Sequence, residues 1–75
     1  MTPAQSRAAR GLVSMTQTDL AKAAGLGQST VVDFERERRA VAAPSIDAIR
    51  AALETAGVVF LRENGNGPGV ALRKG

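Results

Sequence analysis

The sequence predicts a mainly α domain of four short helices around one small core, closed by a short C-terminal β-hairpin. Three observations predict it. Apolar residues recur at three- and four-residue spacing between cap residues. The run Thr16 to Glu35 reads as two short helices joined by a glycine turn. After Gly57 the pattern switches to two apolar runs around a glycine-rich turn.

Pro3 suits the first turn of a helix running to about Val13. Its expected inward residues are Ala8 or Ala9, Leu12 and Val13. Thr16 caps a second helix, from about Gln17 to Ala24, with Asp19 at the capping-box position. Leu20, Ala21 and Ala24 share one face. Gly25 ends that helix in a left-handed conformation that glycine takes without strain. Gly27 opens a third helix, from about Gln28 to Glu37, with Val31 and Phe34 inward. Arg38 to Pro44 has no period and reads as a loop. Pro44 is expected to keep Ala43 out of the helical region. Ser45 then caps the fourth helix, with Asp47 in its first turn, Ile46, Ile49, Leu53 and Ala56 on one face, and Gly57 at its end.

Val58 to Arg62 reads as a strand, Glu63 to Gly69 as a turn holding two Asn-Gly pairs, and Val70 to Arg73 as a second strand. Val58 and Phe60 face one side, Val59 and Leu61 the other. One side covers the helices. The other calls for a partner, because two strands alone are marginal in water. A second copy of the chain is the simplest candidate, which makes Val59 and Leu61 the expected dimer contact. The chain thus divides into a helical unit, residues 1–57, and a hairpin tail, residues 58–75, expected to dimerise.

Seventy-five residues make one small domain with a thin core. There is no cysteine and no histidine. That excludes disulfides, thiolate chemistry, the usual zinc sets and histidine acid–base catalysis. No carboxylate pair and no serine with a base partner is placed for catalysis. No enzyme, cofactor or metal is expected. The glycine-rich turn lacks the Lys-Ser/Thr ending and following helix of a phosphate-binding loop. The opening carries interspersed charges and no apolar run, so it does not read as a signal peptide. No stretch is long enough to cross a membrane, and a cytoplasmic setting is expected. The net charge is +3, and the placement of the charge says more. Arg36, Arg38 and Arg39 cluster directly after the third helix.

Gln17, Leu20, Ala21, Gly25, Gln28, Val31, Phe34 and Glu35 resemble the helix-turn-helix pattern of the phage lambda and Cro-type repressors, the Xre family. The resemblance covers residues 5 to 56 and leaves the hairpin outside. It implies a lambda-repressor-like DNA-binding domain acting as a sequence-specific transcriptional regulator, with repression the expected mode. Double-stranded DNA is the implied partner and a homodimer the implied state. Gln17 would contact a phosphate and brace Gln28. Gln28 would read an adenine through N6 and N7. Ser29, Thr30 and Val32 would lie against further bases or a thymine methyl. Asp33 would accept from a cytosine amino group or else repel phosphate. Arg36, Arg38 and Arg39 would hold phosphates. Arg10 and Glu35 occupy the family's internal ion pair.

Two departures stand out. Glu37 stands where many members have glycine. The third helix carries Asp33, Glu35 and Glu37 against Arg36 alone. Two alternatives stay open: an antitoxin that represses its own operon and neutralises a toxin, and a protein-binding module, aimed at a partner such as a transcriptional activator, that does not use DNA.

Overall fold

The computed structural model describes residues 1–62, 65 and 67–74. The chain runs α1 (Pro3–Val13), α2 (Gln17–Ala24), α3 (Gln28–Glu35), α4 (Ala43–Thr55), β1 (Val58–Leu61) and β2 (Gly69–Leu72). The turn expected between the strands includes Glu63, Asn64 and Asn66, which lie outside the described residues. Among the described residues no helix is long and apolar enough to cross a membrane.

α1 starts where a capping box satisfies its first N–H groups. The Thr2 hydroxyl accepts from the Gln5 N–H at 3.1 Å, and the Gln5 side-chain oxygen accepts from the Thr2 N–H at 2.8 Å. Its inner face differs from expectation. Ala9 is buried and Val13 packs against the core, but Ala8 is exposed and Leu12 is 41% exposed. Gln5 and Ser6 are buried in their place. The inward stripe runs 5, 6, 9, 13. Leu12 is one step, about 100°, round the helix from Val13, on the flank of that stripe. α1 ends at Ser14, which takes a left-handed φ of 55°.

α2 has the expected capping box. Thr16 Oγ1 accepts from the Asp19 N–H, and Asp19 Oδ2 from the Thr16 N–H, both at 3.0 Å. Its C-terminus turns at Gly25 with φ 69°. α3 stops at Glu35, short of the expected Glu37, because the chain closes a Schellman motif there. The Arg38 N–H reaches the Asp33 carbonyl at 2.9 Å and the Glu37 N–H the Phe34 carbonyl at 3.2 Å. Glu37 holds the left-handed position, φ 56°, that glycine usually fills.

α4 corrects the sequence reading at its start. Ala43 and Pro44 lie inside the first turn and Ala42 is the N-cap, with no side-chain cap bond. The Ser45 and Ile46 N–H groups donate to the Ala42 carbonyl. A proline without an N–H loses nothing in a turn whose N–H groups have no intrahelical partner. Ser45 is therefore not the cap, and Asp47 lies beyond the first turn. At the other end Ala56 is an exposed C-cap, not part of the inner face, and Gly57 follows with φ 111°.

β1 and β2 pair antiparallel, Val58 with Leu72 through Leu61 with Gly69. The strands include Gly69 and leave out Arg62 and Arg73. Val58 is 3% exposed and joins Ala9, Leu20, Val31, Phe34, Ile49 and Leu53 in one core. Each large side chain buried there contributes about 1.5–3 kcal/mol. Besides this apolar packing, two polar contacts among the described residues tie the hairpin to the helices. Gln5 Nε2 donates to the Gly69 carbonyl at 3.0 Å, and the Arg50 guanidinium sits 4.9 Å from the Phe60 ring centre.

Candidate nucleic-acid interface

α3 is anchored from behind by a buried carboxylate. Glu35 is fully buried. Arg10 Nη2 lies 2.7 Å from its Oε1, and Arg10 Nε donates to both oxygens at 3.0 Å. The buried Ser6 hydroxyl donates to Oε2 in a short hydrogen bond, and Gln17 Nε2 donates to Oε1 at 3.2 Å. Burial alone would raise the Glu35 pKa. The hydrogen bonds from Arg10, Ser6 and Gln17, with the charge of Arg10, outweigh burial and hold it below the ordinary glutamate value. Arg7 Nη1 donates to the Glu35 main-chain carbonyl, where a cation meets the negative end of the helix dipole.

α1, α2 and α3 therefore meet at one carboxyl group, which fixes how α3 stands on the domain. Gln17 spends one of its two amide N–H groups on Glu35. Among the described residues its side-chain hydrogen bond goes to that group and not to Gln28. The opening of α2 is thereby locked to the end of α3.

The residues singled out in the sequence lie along α3 ahead of this anchor and on the turn that follows it. Gln28 and Ser29 are exposed at the N-terminal end of α3. Thr30 beside them is half-buried, as are Val32 and Asp33 one turn on. The N-cap is Gly27, so no capping side chain crowds the approach to that end. Arg36 and Arg38 are exposed on the turn that follows. Arg39 is held differently: its Nε donates to Asp33 Oδ2 at 2.8 Å.

These pairs change the electrostatics that composition suggests. Asp33 is matched by Arg39 and Glu35 by Arg10, so two of the three acidic groups in and beside α3 are neutralised. Arg36 and Arg38 then dominate the charge of this face, a sign that suits a polyanion.

Sequence reasoning missed Ser6 and Arg7, and it missed Gln5 as the tie to the hairpin. A signal was present for the first. Ser6 lies three residues before Ala9 on the same face, and a hydroxyl there needs a buried partner. Which partner it has depends on a residue 29 positions away.

The family model described as Helix-turn-helix matches residues 7–58, well over half of the chain. No curated protein matches it.

Proposed function

The chain belongs to the Helix-turn-helix family, a family of DNA-binding regulators, and on that premise we propose that it is a dimeric repressor reading a palindromic operator through α3. One observation carries the reading. Gln28 and Ser29 stand exposed at the free N-terminal end of a helix whose other end is clamped by Glu35. A helix entering the major groove presents its N-terminal residues to the base edges. In this reading Gln28 bonds an adenine, Ser29, Thr30 and Val32 complete the contact with neighbouring bases, and Gln17, Arg36 and Arg38 hold phosphates. Repression follows from occupying a promoter.

The dimer part of the proposal has a physical motive. One such domain makes few base contacts, and two half-sites about 34 Å apart combine their affinities. Val59 is 39% exposed and Leu61 47%, and both lie on the outer face of β1 with Ala71 opposite. That surface supports Val59 and Leu61 as the contact between copies. The hairpin also contributes Val58 to the core. Single substitutions on the outer face are therefore a cleaner test than deletion of the tail.

The experiment is selection of sites from a random duplex pool, then anisotropy titration of the winner at two salt concentrations. A palindromic winner, bound far above scrambled duplex, with one base preference relaxed by Gln28→Ala, supports the reading. Sedimentation of Leu61→Asp at the same concentrations should show a monomer where the parent chain is a dimer. The exposed apolar hairpin favours a second reading, a protein partner such as a toxin or a transcriptional activator. An empty selection with a hairpin-dependent pull-down would move the assignment there.

A further inference from the structure

An ion pair joins Asp33 on the outward face of α3 to Arg39 on the turn that follows. We propose that Arg39, oriented by Asp33, reads a guanine in each half-site, so that the two residues act as one specificity element. The inference rests on the operator-reading proposal and assigns to a base edge a residue that the sequence alone places on phosphate.

Asp33 lies one helical turn beyond Ser29 and shares its outward face. Arg39 belongs to the turn after α3, yet its guanidinium is brought back to that face by the 2.8 Å bond to Asp33. The Arg39 side chain is 52% exposed and that of Asp33 only 21%. The carboxylate is thus the fixed member and the guanidinium the outward one. Arg39 Nη1 also lies 3.4 Å from the Ala40 carbonyl, which limits rotation of the guanidinium plane.

The free donors then decide the ligand. Nε–H is spent on Asp33. The two terminal nitrogens keep N–H groups in a planar fork. That fork matches the O6 and N7 acceptors of guanine, and the contact needs orientation more than charge. A phosphate needs the reverse. It needs charge and little orientation, and a carboxylate 2.8 Å from the arginine offsets the attraction while repelling the anion. Arg36 and Arg38 carry no acidic partner among the described residues and suit phosphate better. Asp33, already engaged by Arg39, serves as the positioning residue and not as a separate reader of cytosine.

The test uses the full chain in the selection above, with Arg39→Ala, Arg39→Lys, Asp33→Ala and the double variant carried in parallel. The parent chain should enrich a guanine at one fixed position per half-site. Changing that guanine to adenine should weaken the parent by about 5- to 140-fold and leave Arg39→Ala indifferent. Arg39→Lys should not restore the preference, because an ammonium lacks the fork. Asp33→Ala should blunt discrimination at that same position, and the double variant should do no worse than Arg39→Ala. Equal weakening on every duplex by Arg39→Ala would make Arg39 a phosphate contact and overturn the proposal. So would an effect of Asp33→Ala at a different base position. A parent chain that enriches no site overturns the operator reading itself, an outcome separate from an enriched site insensitive to Arg39.

Discussion

Replacing Glu35 with alanine removes one carboxylate and strands three donors at once. The Ser6 hydroxyl, itself fully buried, loses its acceptor. Arg10 loses its ion pair while its side chain stays only 20% exposed. Gln17 loses the bond that ties α2 to α3. Removing one member of a buried pair costs about 3–5 kcal/mol, because the survivor is left charged and poorly solvated. The partial exposure of Arg10 places this case at the lower end, about 3 kcal/mol. An exposed pair would cost no more than about 1 kcal/mol. At about 0.05–0.15 kcal/mol per residue, a chain of this length has only about 4–11 kcal/mol of stability in all. For a domain of this size about 3 kcal/mol lowers Tm by roughly 12–24 °C. Thermal and urea melts followed by circular dichroism read the loss directly. Titrated well below its own midpoint, the variant should keep the base preference of the parent, since Glu35 faces away from the outward surface. A loss below about 1 kcal/mol, or an altered preference in the folded variant, would refute the clamp reasoning.

Three further outcomes are expected. Glu37→Gly should raise stability by about 0.5–1 kcal/mol, because Glu37 holds a left-handed φ of 56° in the Schellman position; a lower Tm in the glycine variant would contradict this. Stability should fall with acid. The folded pKa of Glu35 lies below its ordinary value of 4.5, so its contribution is complete above that pH and is lost as pH drops from there through the folded value. Asp19, lowered by its hydrogen bonds with the Thr16 backbone and hydroxyl, acts in the same sense. Urea midpoints measured from pH 6 down to pH 3 should decline in the parent and decline less in Glu35→Gln. Arg38→Ala should weaken binding to every duplex similarly and lower the salt slope by about one, and a changed base preference would show that the contacts are sorted wrongly.

The sequence by itself determined the parts that local backbone physics controls. Thr16 and Asp19 cap α2 because their side chains reach N–H groups three residues away. Gly25 ends α2 because its φ of 69° has no steric cost for glycine. Alternation placed Val58 and Phe60 inward and Val59 outward. The motif from Gln17 to Glu35 was legible for the same reason, since its spacing is set within two short helices and one turn. The tertiary structure decided what depends on distant groups. Leu12 looks inward by spacing and is exposed, while Gln5 and Ser6 look like surface residues and are buried. Their partners lie at Gly69 and Glu35, far along the chain. α4 starts at Ala43, with Pro44 inside its first turn, although the pre-proline bias argued for a later start. Gln17 turned to Glu35, and Arg39 to Asp33, because a hydrogen bond between side chains depends on how helices pack, which no local pattern records.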